Sequence, residues 1–163
     1  MTDFLIRPAA PADGPAFVGL VRALAEFEKL DGPDDDAAAR LAAHAFGPEP
    51  RFRLLVAERA GAVVGYALYF LTYSTFLARP SLYLEDLFVL PPLRSAGIGT
   101  AFLRRLAAEA VALGCGRFEW TVLDWNTKAQ DFYLRMGARM LPEWRVCRVD
   151  GERLAALARS DGT

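Results

Sequence analysis

The clearest period in the chain is helical. Phe17, Leu20, Val21, Leu24 and Phe27 recur at three- and four-residue intervals, which puts one apolar stripe on a helix running from an Asp13 cap to about Leu30. Before it, residues 4–7 are apolar and stop at Pro8, as a short strand does. After it, Asp34, Asp35 and Asp36 precede an alanine-rich run. Carboxylates there complement the dipole of a helix over 37–45. Residues 52–58 and 63–73 are β-leaning apolar runs joined at Arg59, Ala60, Gly61 and Ala62, which predicts a hairpin. A turn over 74–80 leads into a third such run, 82–90, which Pro91 and Pro92 terminate because neither can donate a ladder hydrogen bond.

Helical spacing returns over 100–113 and stops at Gly114 and Gly116. Residues 117–123 read as a strand, 127–136 as a short helix ended by Gly137, 144–149 as a last strand and 152–159 as a terminal helical turn. The predicted order is β-α-α-β-β-β-α-β-α-β, without an internal repeat or a linker.

At 163 residues and 53% hydrophobic content, the chain suffices for one well-cored domain, expected to span 1–163. A net charge of −1 without a basic patch argues against nucleic acid. The first residues lack the apolar stretch of a signal peptide, and no run reaches the roughly 20 apolar residues of a membrane span. The expectation is a cytoplasmic protein away from membranes. Two cysteines and one histidine, far apart in sequence, do not make a structural zinc site or a Cys–His nucleophile pair. Cys115 and Cys147 read as packing residues.

Candidate chemistry gathers around the strand read over 82–90. Glu85 and Asp86 lie in its apolar middle, where a carboxylate without a partner is costly. Directly after it comes Arg94-Ser95-Ala96-Gly97-Ile98-Gly99, then a helix. A strand, a glycine turn and a helix N-terminus form a place for phosphate: free amides point outward, and Gly97 and Gly99 let a ligand approach the backbone. Arg94 adds a cationic fork suited to phosphate oxygens. The spacing matches neither an NTPase P-loop nor a dinucleotide-binding fingerprint.

R-x-x-G-x-G is instead the turn that cradles the coenzyme A pyrophosphate in the GNAT superfamily. F-x-I-R-P, L-A-E-F-E-K-L, L-V-A-E, L-Y-L-E-D-L-F-V, R-S-A-G-I-G, V-L-D-W-N and F-Y-x-x-x-G-A occur here in the order of the spermidine/spermine (diamine) N-acetyltransferases. The chain resembles that group over nearly its whole length. L-A-E-F-E-K-L, Y-S-T-F and V-L-D-W-N bring it nearest to the thialysine N-acetyltransferase branch. Ser74-Thr75 lacks the acidic residue of the polyamine branch, and Phe27 stands in place of its tyrosine.

The resemblance implies an α/β (α+β) GNAT fold, a mixed and strongly twisted sheet with helices on both faces. It implies acetyl-CoA as co-substrate, no metal, a small-molecule amine as acceptor and a homodimer. Acetyl-CoA would lie on Leu87, Phe88 and Val89, on Arg94, Ser95, Ala96, Gly97, Ile98, Gly99 and Thr100, and on Asn126 and Tyr133. Acceptor contacts fall on Phe27, Glu28, Glu85, Asp86, Glu119, Trp120, Thr121, Glu143 and Trp144, and Tyr133 matches the catalytic tyrosine.

Glu85 is the candidate base for the amine, directly or through a water; alternatively it and Asp86 only bind the ammonium electrostatically. Acetylation of protein lysines or amino acids, and a non-catalytic acyl-CoA-binding module, are the competing readings.

Overall fold

The computed structural model describes residues 3–159. The chain divides into two compact units, Met1–Thr121 and Val122–Thr163.

The first unit is an open five-stranded sheet in the order β1-β2-β3-β4-β5. Strands β1 (Phe4–Pro8), β2 (Arg53–Arg59), β3 (Ala62–Ser74) and β4 (Arg79–Val89) are successive antiparallel neighbours, and β5 (Arg117–Glu119) lies parallel to β4. Helices α1 (Gly14–Glu28) and α2 (Asp35–Phe46) separate β1 from β2, and α3 (Ile98–Ala112) makes the crossover from β4 to β5. The mixed sheet follows from that connectivity, because only a parallel pair needs a long crossover.

Side-chain alternation along the strands fills both faces. Phe17 and Leu20 of α1 share one core with Leu54, Val56, Tyr66, Leu68 and Phe88. Phe102, Leu103 and Leu106 of α3 are buried, and α3 packs on β4. Tyr69, three residues from Tyr66 and so on the opposite face of β3, donates its hydroxyl to Glu109 of α3 at 2.8 Å. Each such buried side chain contributes about 1.5–3 kcal/mol over its exposed form.

Local chemistry explains most boundaries. The β2–β3 hairpin turns through Ala60 and Gly61 at φ +50° and +76°, the left-handed pair that matches strand twist. Asp34 caps α2, its side chain accepting from Ala37 N at 2.8 Å. Asp13 does not cap α1 as expected. Its carboxylate accepts instead from Ala10 N and from both terminal nitrogens of Arg7 at 2.7–2.9 Å. That pairing holds the Asp13 carboxyl below its ordinary range and ties β1 to the start of the helical layer.

Three predicted limits need correction. The strand read as 117–123 is ordered only over Arg117–Glu119, because Ser81, Leu82 and Tyr83 alone pair with it. Helix α3 begins at Ile98 rather than Thr100, since Gly97 already serves as its N-cap. Residues 144–149 form no strand: they are exposed, with Trp144 at 74%, and no described strand pairs with them.

The second unit comprises α4 (Thr127–Arg135), an irregular stretch over 138–150, and α5 (Gly151–Arg159), a full helix where one helical turn was expected. Among the described residues no helix is long and apolar enough to cross a membrane. Nor does any group of three or more His, Cys, Asp or Glu among them stand ready to hold a metal ion.

Candidate active site

The turn between β4 and α3 is built by its prolines and glycine. Pro91–Leu93 forms a single 3-10 turn and Arg94 returns to extended backbone. Ser95 and Gly97 then adopt φ of +75° and +85°, a left-handed conformation that costs a non-glycine residue roughly 1–2 kcal/mol. Ile98 is 1% exposed and anchors the first turn of α3 in the core. No side chain caps that helix start, and no carboxylate lies in its first turn. Its free amides and dipole therefore favour an anion. A Cβ built on Gly97 would meet no atom within 4 Å, so the space over the turn is open. Ser95, Ala96, Gly97, Ile98, Gly99 and Thr100 fit a diphosphate.

Arg94 is positioned differently from a fork aimed only at phosphate. Its Nε donates to Val89 O at 3.0 Å. The guanidinium lies 4.6 Å from the Phe27 ring centre and 5.4 Å from that of Phe88. Arg94 thus joins the end of α1 to the end of β4, with its other N–H groups outside that backbone bond.

The geometry of β4 separates its two acids. Tyr69 pairs with Leu84 and Leu68 with Asp86, so Glu85 is the extra residue of a β-bulge. Glu85 is exposed. Asp86 shares a face with Leu68, is half-buried, and accepts from the Tyr66 hydroxyl at 3.1 Å. Burial pushes the Asp86 carboxyl up to about 6; the Tyr66 hydrogen bond pulls it down, and the charges of Glu85 and Glu28 push it up. Burial also raises Glu28, at the end of α1. These three carboxylates belong to one electrostatic neighbourhood.

On its other edge β4 is covered by β5 only at Ser81, Leu82 and Tyr83. Beyond them, along Leu87, Phe88 and Val89, no described strand pairs with that edge, which leaves backbone groups for a ligand to bond. Glu119 ends β5, and Trp120 and Thr121 follow it. The Trp120 ring centre is 4.8 Å from that of Phe118.

In the second unit, Asn126 caps α4, its Oδ1 accepting from Ala129 N at 3.3 Å. Tyr133 is 9% exposed on α4, its ring centre 5.4 Å from that of Phe132. Glu143 and Trp144 lie in the exposed irregular stretch.

Two features escape sequence reasoning. Tyr66 reads as one more aromatic in an apolar strand, because its hydroxyl's partner lies 20 residues away. The stacking of Arg94 on Phe27 joins residues 67 apart, and only folding brings them together.

Comparison with known proteins identifies the architecture. The Acetyltransferase (GNAT) family model matches residues 19–138. The chain is 40% identical to the thialysine N-epsilon-acetyltransferase of Sus scrofa, over 97% of this chain and 99% of that one. It is 46% identical to the L-ornithine N5-acetyltransferase of Arabidopsis thaliana over 58% of this chain and 42% of that protein. Among solved structures, an integron cassette protein from V. cholerae superimposes with a TM-score of 0.85 at 26% identity, over 98% of this chain and all of the other. With its glycine turn, open β4 edge and carboxylates, the chain belongs to the GNAT acetyltransferase family and is an N-acetyltransferase.

Proposed function

We propose that this enzyme moves the acetyl group of acetyl-CoA to a primary amine of a small molecule, of thialysine, diamine or polyamine type, within a ternary complex. The observation that carries the reading is the course of β4. One strand bears Glu85 and Asp86, leaves its edge open over Leu87, Phe88 and Val89, and runs into the Gly97 turn. A relative 40% identical over nearly the full length, named for thialysine, supports the acceptor class.

Acetyl-CoA supplies the thioester; the amine nitrogen bonds to its carbonyl carbon, the C–S bond breaks, and amide and thiol are the products. The chain's residues manage the coenzyme and the protons. The amides at the start of α3 hold the diphosphate, and the open β4 edge bonds the pantetheine arm and polarises the carbonyl. An amine of pKa near 10.4 costs about 4.6 kcal/mol to deprotonate at pH 7. A positioned base is therefore worth about 10²–10⁴-fold.

Glu85, exposed at the bulge, takes that proton directly or through a water, while Asp86 and Glu28 supply negative charge for the ammonium. Tyr133 hydrogen-bonds the departing sulfur, a role that rests on the resemblance. Because a phenol near pKa 10 is a weaker acid than a thiol near 8.5, that bond serves the developing charge better than outright proton donation does. Glu119, Trp120, Thr121, Glu143 and Trp144 complete the acceptor site, Asn126 joins the coenzyme contacts, and the enzyme works as a cytoplasmic homodimer; these points rest on the resemblance.

Thiol release from acetyl-CoA tests the reading, with thialysine, diamines, polyamines and amino acids as acceptors. Turnover with a small primary amine, and little with amino acids lacking a side-chain amine, is expected. No release with any amine would overturn it.

A further inference from the structure

We infer that Tyr66 is a positioning residue of the acceptor site: its buried hydroxyl fixes the Asp86 carboxylate beside Glu28 and Glu85, where it serves the acceptor's ammonium. This deepens the proposed amine reading and rests on it.

Tyr66 is fully buried, with its ring edge-on to Phe17 at 5.2 Å between centroids. A phenol in a dry core requires a partner for its hydroxyl. Here that partner is one carboxylate oxygen, Asp86 Oδ2, at 3.1 Å. Among the described residues Asp86 has no cationic partner, and the Tyr66 hydroxyl is what favours its charge.

The charged neighbours otherwise oppose it: Glu28 from α1 and Glu85 from β4 both raise the Asp86 carboxyl, as does burial. Arg94 packs over Phe27 and Phe88 and bonds the backbone at Val89. A half-buried carboxylate bonded to a phenol and within electrostatic reach of two other acids gains most when an ammonium arrives, and it can serve that ammonium only while ionised. A hydrogen bond to the ionised form favours it. Tyr66 thus keeps Asp86 available at neutral pH.

Tyr66→Phe retains the ring and removes only the hydroxyl. Carboxyl-carbon NMR should show the Asp86 titration moved upward by about half a unit to one unit. KM for the best amine of the acceptor panel should rise about 2–5-fold at pH 6, less than about twofold at pH 7, and match wild type by pH 8.5, while acetyl-CoA affinity stays unchanged. A general packing defect would instead raise KM by the same factor at every pH.

A pH-independent KM ratio, or an Asp86 titration unmoved by the substitution, would overturn the assignment. Should Tyr66→Phe fail to fold, Asp86→Asn provides the second reading: it should abolish the acid limb of the amine KM profile, and retention of that limb would equally overturn it. The NMR titration needs no acceptor, so a wild type that acetylates no amine would sink the functional reading separately from the link between Tyr66 and Asp86.

Discussion

The Arg94 guanidinium rests 4.6 Å above the centre of the Phe27 ring while its Nε is bonded to Val89 O at 3.0 Å. An arginine from the turn between β4 and α3 is thereby pre-set by the last turn of α1, where Glu28 also lies. Cation–π contacts of this kind contribute about 0.5–2 kcal/mol. Phe27→Leu and Arg94→Lys should each weaken acetyl-CoA binding, and the double variant should lose less than the sum of the two. Calorimetry on the four proteins measures the coupling, expected at about 0.5 kcal/mol or more. Strict additivity would mean the stack has no bearing on the coenzyme.

Gly97 has φ +85° and open space above it. Gly97→Val should fold with a stability loss of about 1–2 kcal/mol from the left-handed backbone. Its acetyl-CoA affinity should fall at least tenfold, because the new side chain fills the open space over the turn where we propose the diphosphate lies. Denaturant titration and calorimetry separate the two effects. Wild-type affinity in the folded variant would move the phosphate site elsewhere.

Asp86 should make stability depend on pH in the direction opposite to a salt-bridged acid. Its folded value near 6 lies above the ordinary 3.8, so between those values the folded state binds more protons than the unfolded one. Stability contributed by this group therefore falls as pH rises from about 4 to 6. Asp86→Asn should stabilise the protein by on the order of 1–3 kcal/mol at pH 7.5 and by nothing below pH 4. Urea melts of both proteins at the two pH values check this. A destabilised Asn variant at pH 7.5 would contradict it.

Glu85 and Tyr133 should divide the chemistry. If Glu85 takes the amine proton, Glu85→Gln lowers kcat by about 10²-fold or more and steepens the rate's rise at alkaline pH, because solvent must then remove that proton. Tyr133→Phe keeps a buried ring and removes the hydroxyl. It should lower kcat while acetyl-CoA affinity holds. Steady-state kinetics across pH, with coenzyme binding measured apart, decide both. Full kcat in Tyr133→Phe with chemistry rate-limiting would make that tyrosine structural.

Periodicity alone determined the helices and the order of the first nine elements, because burial of one apolar face writes itself into spacing. Proline and glycine marked the stops at Pro91, Gly114 and Gly137, since their backbone limits act locally. The R-x-x-G-x-G turn and the Glu85-Asp86 pair were legible for the same reason. Sequence could not say that 144–149 has no strand partner among the described residues, because pairing is a property of the neighbour as much as of the segment. Nor could it separate the two adjacent acids. The bulge in β4 leaves Glu85 exposed and Asp86 half-buried against Tyr66. That choice depends on which residue of β3 stands opposite, and register is set only when the strands meet.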